Sequence, residues 1–351
     1  MSMSQPLIFV LPEGSDQVSG GNLYNARLIA ALRAASIPVA SVSLEEGRAR
    51  VGRGEAGRYF IDSLDLTASG DLPPPHAQQS FTLIVHHLPS LEPGGDVERA
   101  SEALRAEQAA LGRFDSYLAT SPFTARYLIS RGCPAERILT VPPAAPAPSS
   151  QPGGAPPARV HAPPLRALIA GNVIPRKAMR ELFLALEPRI APEDQLSIEV
   201  VGRLDLDPDY ARRCRELTEG SARLASIVRY RGSLPPEQMP GQYRSANLFV
   251  SASRMETFGM ALQEAHAHGL PILALDGGYA RHHFTDGRDG LLFFSLEALA
   301  DGLLALVRDP RRARTLFEHA QASASADQLR REAYDWPAAA RRFLTQVAAL
   351  R

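Results

Sequence analysis

Two runs of alternating strand-like and helix-like segments, separated by a proline-rich stretch, constrain the fold of this chain most strongly. Short apolar segments typical of buried parallel strands alternate with segments of helical period over residues 7–141, and again over residues 165–275. Residues 142–164 are dense in Pro, Ala, Gly and Ser, a composition typical of a linker. Because strands that alternate with helices form parallel, doubly wound sheets, the sequence predicts an α/β protein with two such domains.

The pattern predicts four segments along the chain. Residues 1–150 form a first Rossmann-like domain, residues 151–164 a Pro-rich linker, and residues 165–330 a second Rossmann-like domain. Residues 331–351 form a C-terminal helix. Ligands of open α/β sheets bind beyond the carboxyl ends of the strands, so we expect both domains to face one ligand across a central cleft.

The balance of charges limits the classes of binding partner, and the cysteine content indicates the cellular compartment. The 351 residues contain 38 Lys plus Arg and 38 Asp plus Glu, and this balance argues against a large nucleic-acid interface. The only cysteines, Cys133 and Cys214, are far apart, which favours a reducing compartment over a disulfide framework. No apolar stretch approaches the roughly 18 residues of a membrane span, and Leu7–Leu11 is typical of a first strand rather than a signal peptide. We therefore expect a cytoplasmic protein, with peripheral membrane contact left open.

Residues 254–269, which follow the predicted strand Leu248–Ser251, carry the strongest indication of chemistry. A helix begins near Phe258 and Gly259, and the unpaired N–H groups of a helix start bind anions such as a diphosphate. Glu256 lies in the loop before it, where its carboxylate can accept hydrogen bonds from sugar hydroxyls. Glu264 lies about one and a half turns into the helix, within reach of a ribose diol. Taken alone, the segment equally allows a helix-start carboxylate and a surface glutamate.

A second segment follows the predicted strand Leu165–Ala170 and contains Gly171, Arg176 and Lys177. Arg binds a diphosphate as a fork and Lys as a point charge. The alternative is a solvated basic pair before a helix, where the helix dipole disfavours cations. An anionic ligand removes that conflict, so the pair favours a diphosphate site.

Two further features are weaker. The loop that ends in Gly20 and Gly21 lacks the glycine spacing of a dinucleotide fingerprint and the Lys of a triphosphatase loop. It is interpreted equally well as an ordinary turn and as a phosphate or acceptor contact. His86 ends a predicted strand, where sites form in α/β sheets, but no histidine pair has partners at a metal-site spacing. We therefore predict no metal site.

Together these segments resemble the retaining glycosyltransferases of family four, which have the GT-B fold. The resemblance extends over nearly the whole chain, and the two glutamates, separated by seven residues that include Phe-Gly, are its most specific part. It rests on Gly20-Gly21, His86, Thr120-Ser121, Gly171 with Arg176-Lys177, Val201-Gly202-Arg203, Arg231-Gly232-Ser233, Glu256 to Glu264, residues 286–292 and Asp335-Trp336. It implies an acceptor-side first domain, a second domain that binds the nucleotide sugar, and a last helix that crosses back to the first domain.

The resemblance also implies a role for each candidate residue. The implied catalytic residues are Glu256 on the donor-sugar hydroxyls, Lys177 on the leaving diphosphate, and His86 near the reacting carbon. The implied donor-binding residues are Gly20, Gly21, Gly171, Arg176, Phe258, Gly259 and Glu264. The family usually has Arg where this chain has Asn172, and whether Arg176 replaces that cation stays open.

The predicted function is that of a retaining, metal-independent hexosyltransferase without a cofactor. It would move a sugar from a nucleotide-diphosphate sugar, its donor substrate, to a hydroxyl of an acceptor that the sequence does not identify. Two alternatives on the same fold stay open: a nucleotide-sugar epimerase and a non-catalytic nucleotide-sugar-binding subunit.

Overall fold

Strands and helices alternate through both halves of the chain. The computed structural model describes residues 5–14, 19–66, 74–93, 97–145 and 164–350. These residues form two compact units, the first containing Gly21–Ala144 with the C-terminal segment Tyr334–Arg351, and the second Ala145–Ala333. The predicted linker falls outside the described residues, except for Pro164.

The first unit is built on six parallel strands in the order β2-β1-β3-β4-β5-β6. The strands are β1 (Leu7–Leu11), β2 (Val39–Ser43), β3 (Gly57–Asp62), β4 (Gln79–Val85), β5 (Ser116–Ala119) and β6 (Ile138–Thr140). The helices are α1 (Gly20–Ala34), α2 (Leu44–Gly52), α3 (Val97–Leu111) and α4 (Pro122–Ser130). The strand order reverses between β1 and β3, and such a switch point opens a crevice at the carboxyl ends of the strands.

The second unit contains another six parallel strands, in the order β12-β11-β10-β7-β8-β9. The strands are β7 (Leu165–Ala170), β8 (Leu196–Val201), β9 (Val228–Gly232), β10 (Leu248–Ser251), β11 (Ile272–Leu275) and β12 (Gly290–Phe293). The helices are α5 (Met179–Leu186), α6 (Pro208–Gly220), α7 (Ala222–Ile227), α8 (Met239–Ser245), α9 (Met260–Ala267), α10 (Leu296–Arg308), α11 (Pro310–Ala326) and α12 (Gln328–Ala333). This is the strand order of dinucleotide-binding sheets, and its switch point lies between β7 and β10. The predicted fold class of two doubly wound parallel sheets is confirmed.

The last helix, α13 (Trp336–Ala349), is part of the first unit. Phe343 on its inner face is fully buried, with its ring 5.1 Å from that of Phe60 and 6.1 Å from that of Phe9. Gln346 accepts a hydrogen bond of 2.7 Å from the amide of Thr140 at the end of β6. The helix therefore completes the core of the first unit and satisfies a strand end.

Three elements, β12, α2 and α7, were not predicted from the sequence pattern. The sequence pattern did not predict β12, an edge strand of four residues whose last three are only half-buried, because so short an apolar run does not by itself distinguish a strand. It also did not predict α2, in which Gly47 interrupts the helical composition. A Cβ at Gly47 would lie 3.0 Å from both γ-methyl groups of Val10, so the glycine lets α2 approach β1 closely. Among the described residues, no helix has the length and apolar content needed to cross a membrane.

Replacing Phe343 tests whether α13 completes the first core. We expect Phe343→Ala to lower the free energy of unfolding by about 3 to 5 kcal/mol, because a buried aromatic ring leaves a cavity among the rings of the first unit. Phe294 is 80% exposed and is the matched control, and Phe294→Ala should change the value by less than about 0.5 kcal/mol. Urea unfolding of both variants measures the difference, and equal midpoints would contradict this packing.

Candidate functional site

The switch point of the second sheet brings two loops together. Strands β7 and β10 are hydrogen-bonded neighbours, with Ala167 opposite Leu248 and Leu168 opposite Phe249. Because the strands are parallel, the loops that follow them leave the same edge of the sheet. We call these loops the cation loop, residues 171–178, and the glutamate loop, residues 252–259. All candidate residues of the second unit except Glu264 lie on them.

The two loops are joined by an ion pair. The Nζ of Lys177 lies 2.5 Å from Oε1 of Glu256, and both side chains are largely buried. The stem of Lys177 packs over Gly171, where an added Cβ would lie 3.4 Å from the Cε of Lys177. Arg176 and Lys177 belong to a single 3₁₀ turn, and Ala178 then takes a left-handed conformation (φ +49°) before α5 begins. The expected conflict between these cations and a helix dipole is therefore reduced, because the turn is not continuous with α5.

Arg176 holds the backbone of the glutamate loop. Its Nη1 donates a hydrogen bond of 2.8 Å to the carbonyl of Met255, and its own carbonyl accepts one of 2.9 Å from the amide of Arg254. Arg176 thus fixes the peptide next to Glu256, while Lys177 contacts the carboxylate itself.

The charge on Glu256 is stabilised by these two cations. Burial alone would raise the pKa of this carboxyl, but the positive charges of Lys177 and Arg176, with hydrogen bonds from Lys177 and Ser253, hold the pKa below its ordinary value of 4.5. The carboxylate is therefore ionised at neutral pH and can accept hydrogen bonds. Two cations face one anion here, and the remaining positive charge suits an anionic ligand.

The start of α9 is fixed by Gly259 and its neighbours. Gly259 caps the helix with φ +94°, and a Cβ at this position would lie 2.9 Å from Leu262 and 3.3 Å from the ring of His283. His283 lies 2.6 Å from the carbonyl of Phe258 through its Nε2. Burial lowers the pKa of His283 to about 4, so the neutral ring donates this hydrogen bond. The helix start, with its anion-binding N–H groups, is thereby held directly after Glu256.

Glu264 lies on α9 beyond this helix start. Its Oε2 accepts a hydrogen bond of 2.9 Å from the hydroxyl of Tyr243, and its side chain is half-buried. Tyr243 is fully buried and stacks on His268 at 4.9 Å between ring centroids. The carboxylate of Glu264 is thus held in place by α8 rather than lying loose on the surface.

Sequence reasoning assigned no role to Gly277 and Gly278, which follow β11. The amide of Glu256 donates to the carbonyl of Gly277 at 3.3 Å, and the amide of Tyr279 donates to the carbonyl of Glu256 at 2.7 Å. A Cβ at Gly278 (φ +62°) would lie 2.3 Å from the carbonyl oxygen of Glu256, and one at Gly277 would lie 2.5 Å from that of Arg254. Only glycine permits this approach, so the pair clamps the glutamate loop. A Gly-Gly pair directly after a strand was the signal for it.

A second missed signal is the rarity of lysine. Lys177 is the only lysine in the 351 residues, and all other positions counted as Lys plus Arg are Arg. A chain that uses Arg at every other cationic position retains Lys where a compact, mobile charge contacts Glu256. The choice of residue type therefore marks this position as chemically distinct.

Asn172, which stands where the family usually has Arg, has a structural contact. Its Oδ1 accepts a hydrogen bond of 3.3 Å from the amide of Arg203, and the amide of Val173 donates to the carbonyl of Arg203 at 2.9 Å. Beside it, Gly202 packs so closely that a Cβ would lie 1.9 Å from the carbonyl oxygen of Gly171. Asn172 therefore joins the cation loop to the end of β8.

In the first unit, His86 follows β4 and lies among polar residues. Its Nε2 is 3.0 Å from Oδ1 of Asn25 and 3.4 Å from Oδ2 of Asp62, which ends β3 and is fully buried. Gly20 and Gly21 form the first residues of α1, and a Cβ at Gly21 would lie 3.0 Å from the ring of His86. Gly21 thus lets α1 begin against the histidine.

The cysteines join neither of these groups. Cys133 and Cys214 are both buried free thiols, and burial raises the pKa of each, that of Cys214 to about 11. Across the part of the chain that the structure describes, no group of three or more His, Cys, Asp or Glu side chains is arranged to hold a metal ion.

Removing Lys177 tests the electrostatic balance of the ion pair. We expect Lys177→Met to destabilise the protein by about 2 kcal/mol at pH 7, because Glu256 would keep a buried charge without its partner. Lys177→Met/Glu256→Gln should recover part of this loss. Arg212, on an exposed pair with Asp209 and Glu216, is the control, and Arg212→Met should have little effect.

The pH dependence of this loss has a definite sign. The lowered pKa of Glu256 means that its pair stabilises the wild type above pH 4.5 and that this stabilisation is lost as pH falls through the folded-state pKa. In Lys177→Met, burial favours the protonated carboxyl instead. Chemical denaturation should therefore show a smaller difference between wild type and Lys177→Met at pH 4.5 than at pH 7, and a larger one would refute the assignment.

Comparison with known proteins identifies the family. Residues 164–309 match the family model described as glycosyl transferases group 1. The D-inositol 3-phosphate glycosyltransferase of Nocardia farcinica is 31% identical over 72% of this chain and 57% of that protein. The phosphatidyl-myo-inositol mannosyltransferase of Mycobacterium leprae is 30% identical over 48% of this chain and 42% of that protein. The chain thus spans little more than half the length of the first of these relatives.

Solved structures share the fold. The sucrose-phosphate synthase of Thermosynechococcus elongatus superposes with a TM-score of 0.75 at 21% identity, covering 99% of both chains. Anabaena Alr3699/HepE in complex with UDP-glucose gives a TM-score of 0.71 at 19% identity, covering 98% of this chain and 100% of that one. At such identities the likeness concerns the fold alone. Together with the two parallel sheets, it shows that the chain has the GT-B fold, and the family match places residues 164–309 in the glycosyl transferases group 1 family.

Proposed function

We propose that this chain is a retaining, metal-independent hexosyltransferase that moves a sugar from a nucleotide-diphosphate sugar to an acceptor hydroxyl. The observation that carries the proposal is the Lys177–Glu256 pair at the switch point of the second sheet, directly before the helix start at Gly259. A diphosphate needs cations and N–H groups, and a sugar needs a hydrogen-bond acceptor. These two loops supply both. The Anabaena neighbour in complex with UDP-glucose and the glycosyltransferase names of the relatives support this donor class.

The charges of the reaction fit this arrangement. Breaking the bond between sugar and diphosphate leaves positive charge on the anomeric carbon and negative charge on the leaving group. Lys177 and the amides at the start of α9 would stabilise the leaving diphosphate, because fixed donors aimed at developing charge lower the barrier. Arg176 would support them by holding the peptide of Met255, and its charge adds to theirs. Because these groups are already in place, little reorganisation is needed at the moment of reaction.

The remaining donor contacts follow from the same geometry. Glu256, which Lys177 and Arg176 keep in its ionised form, would accept hydrogen bonds from donor-sugar hydroxyls. Glu264, held by Tyr243, would accept them from the ribose diol. Gly171 and Gly259 would let the diphosphate approach the backbone of both loops. The second unit, residues 165–330 in the predicted division, is thus the donor domain of the proposal.

The first unit would serve the acceptor. We place His86 near the reacting carbon during transfer, with Gly20 and Gly21 beside the phosphate or the acceptor, on the strength of the family resemblance. The acceptor hydroxyl would attack on the face from which the diphosphate leaves, which retains the configuration of the sugar. Within the proposal, residues 331–351 stabilise the acceptor-side domain through α13.

The proposal is tested with purified protein and a panel of nucleotide-diphosphate sugars. A donor at 100 times its dissociation constant should stabilise the protein by about 2.7 kcal/mol in a thermal-shift assay. Because Lys177 is the only lysine, an amine-selective reagent should label this position and the N-terminus alone, and a bound donor should protect Lys177. Transfer to an acceptor with retained configuration supports the proposal.

Two other outcomes distinguish the alternatives. Conversion of the donor into an epimer without an acceptor would identify an epimerase. Donor binding with protection of Lys177, but without turnover on any acceptor, would identify a nucleotide-sugar-binding subunit. Absence of both binding and protection would reject the donor site itself.

Substitution of Lys177 addresses its role in the chemical step. We expect Lys177→Ala to lower turnover on the order of 100-fold or more, because one fixed electrostatic donor to the leaving group is lost. Lys177→Arg should restore only part of it, since a planar guanidinium does not replace a compact ammonium. Steady-state kinetics on the cognate donor and acceptor measure both variants. Near-normal turnover of Lys177→Ala would end this assignment.

Chelation addresses the proposed independence from metal. If Lys177 and the start of α9 neutralise the diphosphate, we expect turnover to be unchanged after dialysis against EDTA and on adding Mg²⁺ or Mn²⁺. The measurement is the initial rate before and after metal removal, with a metal-dependent transferase treated in parallel as the control. A rate that falls on chelation and returns with the metal would contradict this part of the proposal.

A further inference from the structure

The first unit contains a fully buried acidic side chain that the proposed reaction does not use. Asp62 ends β3, beside the switch point between β1 and β3, and its exposure is 0%. Burying a carboxylate is costly unless it is paired and hydrogen-bonded. Its partners are Asn25 at 2.5 Å, the amide of Leu64 at 2.8 Å and the ring of His86 at 3.4 Å. The carboxylate therefore lies where its charge acts on His86.

The donors and acceptors of the hydrogen bonds around Asp62 can be assigned in only one consistent way. An ionised carboxylate only accepts, so the amide nitrogen of Asn25 must face Oδ2 of Asp62. The amide oxygen of Asn25 then faces Nε2 of His86, at 3.0 Å. Nε2 must therefore carry the proton that this oxygen accepts. Asp62 thus determines, through Asn25, which nitrogen of His86 is protonated.

The ring of His86 is also held by its other neighbours. Tyr24 on α1 contacts the ring edge-to-face at 5.3 Å between centroids, and Gly21 packs against it without room for a Cβ. The backbone amide of His86 donates to the hydroxyl of Ser63 at 3.0 Å. Burial raises the pKa of Tyr24 well above its ordinary value, so Tyr24 is neutral and Asp62 is the charged group in contact with the ring.

Asp62 also has a local structural contact, which can be separated from this network. Its Oδ1 accepts the amide of Leu64 and caps a short 3₁₀ turn, whereas its Oδ2 contacts Asn25 and His86. A cap requires only a hydrogen-bond acceptor, and Asn provides one without a charge. The charge of a fully buried carboxylate is therefore explained by His86 and not by the cap.

We propose that Asp62 is a positioning residue that acts through Asn25 to fix the orientation and the protonated nitrogen of His86 for sugar transfer. This inference rests on the proposed function for the part His86 takes in catalysis. Asp62 itself contacts neither donor nor acceptor. Its effect passes to the reaction only through the imidazole.

The test is a double-mutant cycle of Asp62→Asn and His86→Gln. We expect Asp62→Asn to lower kcat about tenfold or more and to leave the donor KM within about twofold, because only the orientation of His86 changes. In the His86→Gln background, Asp62→Asn should have almost no further effect. Asp115→Asn is the matched control, since Asp115 also accepts a backbone amide in this sheet, from Phe81 at 2.8 Å, and it should retain full activity.

A spectroscopic measurement does not depend on turnover. The ¹⁵N signals of the His86 imidazole should show the Nε2-protonated form in the wild type and should change in Asp62→Asn, with His86→Gln identifying the signals. If Asp62→Asn does not fold, Asn25→Leu removes the relay while leaving the contact between Asp62 and Leu64, and it should lower kcat in the same way.

The outcomes separate this inference from the proposed function. If the wild type is active and Asp62→Asn is equally active, the inference alone is overturned. The same holds if Asp62→Asn lowers kcat equally in the wild-type and His86→Gln backgrounds. A wild type inactive on every donor, with the imidazole signals changing as expected, would reject the proposed function and retain the Asp62–His86 network. Imidazole signals identical in wild type and Asp62→Asn would overturn the inference whatever the activity.

Discussion

The contact between Lys177 and Glu256 is the interaction on which the proposed chemistry of the second unit depends. It joins the loops that follow β7 and β10 at the switch point of the sheet, beside the hydrogen bonds of Arg176 between the same two loops. The stem of Lys177 packs over Gly171, while Gly277 and Gly278 let a neighbouring loop hold the peptide of Glu256. The position of Glu256 in the ion pair therefore depends on close backbone approaches that only glycine permits.

Both units follow the same physical arrangement, although their strand orders differ. In each, a carboxylate lies at or beyond the end of a strand that borders the switch point: Asp62 is the last residue of β3, and Glu256 follows β10. Each is buried and paired with a basic side chain, His86 or Lys177. In each, burial alone would raise the pKa of the carboxyl, and the partner with its hydrogen bonds keeps the pKa below its ordinary value. A parallel sheet readily provides this arrangement, because every strand delivers its next loop to one edge.

The sequence predicted the strands that are buried on both faces and missed features that depend on distant contacts. β1, β7 and β10 have the predicted bounds because apolar runs mark strands covered by helices. The cation pair and the glutamates were found because they follow such strands. The network of Asn25, Asp62 and His86 was not found as a unit, since its members lie 24 to 61 positions apart and none forms a motif. The clamp at Gly277 and Gly278 was missed for a different reason. These glycines act through the absence of a side chain, which allows close backbone contact with residues about 20 positions earlier in the chain.

The contrast between Arg176 and Lys177 explains why adjacent cations are not equivalent. Arg176 binds the backbone of the glutamate loop twice. Its guanidinium donates to the carbonyl of Met255, and its own carbonyl accepts a hydrogen bond from the amide of Arg254. A planar guanidinium suits such a fixed position. Lys177 contacts the carboxylate of Glu256 at the end of a flexible stem, and an ammonium can exchange one oxygen for another without loss of geometry. In a chain that otherwise has Arg at the positions counted as Lys plus Arg, the single Lys lies where, in the proposed function, a charge would pass from Glu256 to an incoming anion. Asn172 adds no charge there and Arg176 is held on backbone, so the proposed transfer of charge to the ligand would depend on Lys177.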